Sequence, residues 1–304
     1  MTKRVLVTGG AGFLGRHTCA YLSNLNEDLE IICTDSFKVN HIYYNKFICA
    51  DLSCAEKVGG LIEETYPDYI IHLAGTFGNK DSEEIYRVNV FSMAALMEAV
   101  RQRVPHVIVV AIGSAAEYGR ISEDQLPVNE QIPCLPVTLY GLSKFLATQI
   151  AMYYHRVHNL CTMIVRPFQL VGKGVPSCLA PGAFAKQLRQ VIAEGSNIIR
   201  VGNLESSRDF LDVHDTVEAI WLLCKKPASG EIFNLCSGQA TKMADLLNRM
   251  IKCAGVDVKP EIDPARLRGS SDVSQIYGTF EKLQNHCGWS PKITLDKSIA
   301  EMFT

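Results

Sequence analysis

The stretch Val5-Leu6-Val7-Thr8-Gly9-Gly10-Ala11-Gly12-Phe13-Leu14-Gly15 passes from a short apolar run into glycines at every third position. The run reads as a buried strand and the residues after Gly12 as the first turn of a helix. Glycines at 9, 12 and 15 permit a tight turn, close approach of backbone to a pyrophosphate, and close helix–strand packing. A phosphate there meets the unpaired amides of a helix N-terminus. Asp35 closes the next apolar run, 20 residues beyond Gly15. A carboxylate at that point accepts hydrogen bonds from an adenosine ribose and repels a 2′-phosphate, which favours NAD, while nearby Lys38 keeps NADP open.

Outward from this turn, apolar and β-branched runs recur at 4–8, 30–34, 46–49, 69–73, 106–112 and 161–166. Each is short, nearly continuous in apolar residues and bounded by Gly, Pro, Asp or Asn, as in strands covered on both faces. Helical patterns fill the gaps near 12–25, 55–65, 83–103 and 141–158. The alternation predicts an α/β fold with a doubly wound parallel sheet of the Rossmann kind. After Arg166-Pro167 the rhythm breaks into a Gly- and Pro-rich stretch, a helix over 183–193 and scattered short elements. The expected division is a dinucleotide-binding domain over 1–170, with a return segment near 210–228, and a smaller α/β substrate-binding domain over 171–304. The helices over 91–100 and 143–158 are apolar on more faces than a sheet needs. That surplus predicts a homodimer built on them, with burial under the second domain as the alternative.

The 304 residues carry 30 basic and 32 acidic side chains, a net charge of −2. So even a balance provides no field for nucleic acid or an anionic membrane. No run approaches the ~20 apolar residues of a membrane helix. Eleven cysteines without a C-x-x-C pair, and no readable signal peptide, predict free thiols in the cytoplasm. His155 and His158 have no carboxylate or thiol at ligand spacing, so no metal site is expected.

Tyr140-Gly141-Leu142-Ser143-Lys144 places a phenol and an ammonium one helical turn apart, on one face. A free tyrosine titrates near ~10, and a nearby cation is the expected means of bringing it into range. Gly113-Ser114-Ala115-Ala116-Glu117-Tyr118-Gly119 follows the fifth strand, at the sheet edge where such folds bind ligands. Ser114 can donate to a substrate oxygen there while Tyr140 handles its proton.

Together these residues resemble the extended short-chain dehydrogenase/reductase family over essentially the whole chain. Further carriers are Asp51-Leu52, the 67–74 run ending in His72-Leu73-Ala74, Asn89, Arg166-Pro167-Phe168, and Arg208-Asp209-Phe210 with Val213 and Asp215. The resemblance implies that Ser114, Tyr140 and Lys144 are the catalytic triad. It implies a dinucleotide held by Gly9, Gly12, Phe13, Leu14, Asp35, Asp51, Leu52, Leu73, Ala74, Tyr140 and Lys144, and no catalytic role for His72.

In the family's dehydratases an acid stands two positions beyond the Ser, and in some epimerase-reductases a Cys does. Here that position is Ala116, which leaves hydride transfer alone; Glu117, one residue on, is expected to point to the other side unless the loop turns. The 201–210 segment is similar to the GDP-sugar branch, which includes GDP-4-keto-6-deoxy-mannose reductases. That likeness implies a nucleotide-sugar substrate held by Ser114, Glu117, Gln169, Lys186, Val201, Asn203, Arg208 and Arg268, the two arginines clamping the pyrophosphate. Gln169 stands where the family has Asn, and Gly269 where Pro is expected. The implied activity is an NAD(P)H-dependent 4-ketoreductase of a 4-keto-6-deoxy-hexose. A 4-epimerase and a non-catalytic dinucleotide sensor are the alternatives.

Overall fold

A computed structural model describes residues 2–38, 43–78, 80–195, 197–267, 269 and 273–304. Its centre is a seven-stranded parallel sheet in the order β10-β6-β5-β4-β1-β2-β3. The strands are β1 (Lys3–Thr8), β2 (Leu29–Asp35), β3 (Lys46–Cys49), β4 (Tyr69–His72), β5 (Ile108–Ile112), β6 (Cys161–Pro167) and β10 (Ile232–Leu235). The pleat sends Leu6, Ile70 and Val109 into one core and Val5, Val7, Ile71 and Val110 into another, so the runs must be apolar on both faces. The first core is completed by α2 (Ala55–Thr65), α4 (Ser92–Arg103) and α5 (Leu139–His158), the second by α1 (Phe13–Ser23) and α7 (Val213–Lys225). Strand order reverses between β1 and β4, which opens a crevice at their C-terminal ends.

The remaining elements are β7 (Gln169–Val171), α6 (Ala180–Glu194), β8 (Ile198–Val201), β9 (Ser207–Asp212), β11 (Ala240–Lys242), α8 (Met243–Ala254), β12 (Lys259–Ile262), β13 (Gln275–Ile276), α9 (Glu281–Cys287) and α10 (Leu295–Phe303). β7, β9, β11 and β13 form a small sheet, and β12 pairs with β8. Phe184, Leu188, Leu246, Met250 and Ile299 fill a third core between them. The return of the chain to the large sheet runs further than the sequence indicates. β10 follows α7 and becomes the edge strand beside β6, and Leu283 with Trp289 packs in the second core. All eleven cysteines are unpaired.

Candidate active site

The glycine turn closes against the end of β4. Gly9 has φ +68°, and a Cβ on it would stand 2.6 Å from the amide of Ala74; one on Gly15 would strike the carbonyl of Gly9. Gly12 caps α1 without a side-chain partner, and the first amides of a helix begun in this way can bind an anion. Asp35 is spent partly on the protein itself: Oδ2 accepts from Ala11 N (3.0 Å) and Oδ1 from Ser36 N (2.7 Å). It thereby fixes the glycine loop to the end of β2. Asp51 accepts from Ser53 and pairs with Arg87 at 3.0 Å, and these bonds hold its carboxyl below the usual range. Leu52 is a core side chain, so only its backbone can face a cofactor. Leu73 and Ala74 are half-buried, their amides bonded to the carbonyl and hydroxyl of Thr8.

Ser114 stands two residues past the end of β5 and caps a 3₁₀ turn, Ala115–Glu117, its hydroxyl accepting from Ala116 N at 3.1 Å. Helix α5 starts beside it. Thr138 caps the helix by accepting from Gly141 N (3.0 Å), and any Cβ at Gly141 would collide with the carbonyl of Ala116. That close approach brings the Tyr140 hydroxyl within reach of the Ser114 side chain. Lys144 is buried and donates from Nζ to the carbonyl of Ile112 at 2.9 Å. Ser114, Tyr140 and Lys144 thus converge on one strand end.

The electrostatics differ from the sequence expectation in one respect. Burial pushes the Tyr140 hydroxyl up to about 12, opposed by the Ser114 side chain, and Lys144 is not among the groups lowering it. Lys144 itself is drawn down to about 8 by burial. Desolvation of both groups outweighs their mutual effect in the protein without its dinucleotide.

Asn89 lies in a π-helical turn, Arg87–Phe91, between α3 (Ser82–Tyr86) and α4. Such turns redirect a side chain into a site. Its amide accepts from Thr76 N (2.7 Å) and donates to Thr76 O (2.9 Å) and Ser143 Oγ (2.9 Å), and Ser143 in turn donates to Tyr140 O (2.8 Å). Phe77, on the same loop, sets its ring edge-on to Tyr140 at 6.3 Å. No local pattern marks Phe77 or Thr76 in the sequence. His72 is buried, bonded through Nδ1 to Thr8 Oγ1 (2.8 Å), and burial with Lys144 close by pushes it down to about 3, so the ring is neutral.

Of the residues expected to hold a substrate, two need correction. Glu117 is fully buried, with its carboxylate on Arg166 (3.0 Å) and the amide of Ser114 (2.8 Å), so it cannot meet a ligand. Val201 is a core side chain. Gln169 is half-buried at the start of β7, and Lys186 and Asn203 are exposed, Asn203 accepting from Glu205 N. Arg208 is half-buried on β9 and donates to Ser207 O at 2.8 Å. The 201–208 stretch meets the 263–267 segment through Asp263 N on Val201 O (2.8 Å). Arg268 lies outside the described residues. Among the described residues no group of three His, Cys, Asp or Glu side chains could hold a metal, and no helix is long and apolar enough to cross a membrane.

A switch-point crevice with a helix N-terminus, beside a Ser–Tyr–Lys cluster, defines a dinucleotide-dependent enzyme, and residues 5–236 match the NAD dependent epimerase/dehydratase family. The chain belongs to that family and is an NAD(P)-dependent oxidoreductase. It is 30% identical to the GDP-6-deoxy-D-mannose reductase of Pseudomonas aeruginosa, across 98% of this chain and 95% of that one. It is 27% identical to the GDP-6-deoxy-D-talose 4-dehydrogenase of Aggregatibacter actinomycetemcomitans, across 98% and 96%. The structure of RMD from Pseudomonas aeruginosa complexed with NADPH superimposes with a TM-score of 0.86 at 28% identity, covering 100% of this chain and 97% of that one.

Proposed function

We propose that this protein is an NAD(P)H-dependent 4-ketoreductase of a GDP-linked 4-keto-6-deoxy-hexose. One observation carries the reading. Ser114, Tyr140 and Lys144 meet at one strand end, while the neighbouring position that would add acid or thiol chemistry is Ala116. With neither group present, the cluster is suited to moving one proton to or from a carbonyl oxygen. The two relatives named for GDP-linked 6-deoxy sugars support the substrate class.

Gly9, Gly12, Phe13 and Leu14 would hold the pyrophosphate of the dinucleotide, Asp35 a ribose, and Lys144 the ribose nearer the reacting centre. When bound, the dinucleotide supplies the hydride. Ser114 donates a hydrogen bond to the substrate carbonyl, and Tyr140 gives that oxygen its proton. Lys144, still charged near neutral pH, offsets the phenolate left behind. Arg208 is placed to clamp the substrate's pyrophosphate. Exposed Phe91, Tyr153 and Val157 supply the apolar surface for the proposed homodimer, and the compartment proposed is the cytoplasm.

A 4-epimerase with tightly held NAD uses the same residues, and Asp35 at the ribose position favours it. Screening thermal shift with GDP, UDP, CDP and dTDP, alongside NADH or NADPH, tests the ligand class. GDP with a reduced cofactor should raise the melting temperature most. A larger rise with another nucleotide overturns the GDP assignment.

A further inference from the structure

Glu117 has no access to a ligand, yet it sits against the backbone of the site. Its Oε1 accepts the amide of Ser114 at 2.8 Å, and its Oε2 accepts from Arg166 Nε at 3.0 Å. Arg166 is equally buried and stacks 4.8 Å over the ring of Tyr118, whose hydroxyl donates to Asn234 Oδ1 at 2.7 Å. Asn234 closes the network on the carbonyl of Val128 (3.0 Å). Gly113 is shaped to admit the acid, since a Cβ there would strike Glu117 Oε1. Two residues earlier on the same backbone, Lys144 Nζ binds the carbonyl of Ile112. One tripeptide, Ile112 to Ser114, is therefore gripped by an ammonium at its carbonyl end and a carboxylate at its amide end.

A buried ion pair is poor value as a stabiliser, because well-packed apolar residues often do as well in its place. Its persistence beside a catalytic cluster calls for another role. We propose that Glu117, anchored by Arg166, is a positioning residue of the Ser114–Tyr140–Lys144 site: it fixes the Ser114 backbone and sets a buried negative charge against the Lys144 ammonium. This rests on the catalytic assignment of those three residues. The other groups facing Lys144 supply no such charge: His72 is neutral and Tyr140 is protonated. Around the pair itself, Tyr118 and Cys134 are likewise held in their neutral forms by burial. Glu117 opposes the burial that draws Lys144 down. Without Glu117, Lys144 would lose its proton at lower pH and the Ser114 amide its acceptor.

The test compares wild type with Glu117→Leu/Arg166→Met, which removes both charges together, and with Glu117→Gln, which keeps the side chain's volume. In protein labelled with 13Cε-lysine, the Lys144 resonance, assigned by its loss in Lys144→Met, is titrated by NMR. In both variants its midpoint is expected to fall by about half a pH unit or more. In the double variant kcat is expected to fall about 10-fold or more, while KM and the dinucleotide Kd stay within about threefold. The alkaline limb of the kcat profile should move down with the lysine. A folded variant in which either the Lys144 midpoint or kcat and its pH profile match wild type overturns the proposal. The titration needs no substrate, so failure of the ketoreductase reading is recognised separately, by absence of turnover in wild type.

Discussion

The side-chain amide of Asn89 donates to the hydroxyl of Ser143 at 2.9 Å, and so ties the π-helical turn of one helix to the first turn of another. Because Ser143 bonds back to Tyr140 O and Asn89 also holds both polar backbone groups of Thr76, one residue joins the Thr76 loop, the π-helical turn and α5. Asn89→Leu leaves the half-buried N–H and C=O of Thr76 without their side-chain partner and takes one of its two bonds from the Ser143 hydroxyl. It should cost about 2–4 kcal/mol of stability, measured by urea unfolding, and lower kcat more than the dinucleotide affinity.

Tyr140 is the proposed proton donor. Tyr140→Phe keeps the ring that packs against Phe77 but removes the hydroxyl that lies by Ser114. Turnover should fall about 10²–10⁴-fold, with dinucleotide affinity measured by fluorescence titration nearly unchanged.

Lys144 makes a stability prediction of definite sign. Its folded value, about 8, lies below the ordinary 10.5, so between those pH values the unfolded chain binds more protons than the folded one. Wild-type stability should therefore be penalised in full below about pH 8 and rise from there towards 10.5. Lys144→Met removes that burden at the expense of the bond to Ile112 O. The variant should be inactive yet more stable at pH 7 by about 1–3 kcal/mol, with the alkaline rise gone. Urea midpoints across pH measure it.

Gly141 is the spacer between α5 and the catalytic loop, since any side chain would meet the Ala116 carbonyl. Gly141→Ala should push the helix start outward and separate Tyr140 from Ser114. An activity loss of about 10–100-fold with the dinucleotide still bound is the expected result, read from kcat and Kd together.

The sheet was legible because its information is local: runs such as Val5–Val7 need no distant partner to be recognised as buried strands. β10 escaped because Asn234 interrupts the apolar run of Ile232–Leu235. Glu117 was misplaced for a different reason. A strand-like pleat sends it away from Ser114, but the chain leaves the strand there and turns. The signal was present, since Ser114-Ala115-Ala116-Glu117 has the S-x-x-E spacing of a capping box, which returns the acid to the cap's own amide. Phe77 and the raised value of Tyr140 depend on what the fold brings near and buries, which no sequence window contains.

The most direct measurement is the ratio of reduced cofactor oxidised to sugar converted, with a GDP-linked 4-keto-6-deoxy-hexose as substrate and cofactor absorbance followed against product. A ketoreductase driven by Tyr140 is expected to consume one reduced dinucleotide for each alcohol formed. Conversion of the sugar with no net change in the dinucleotide would contradict it.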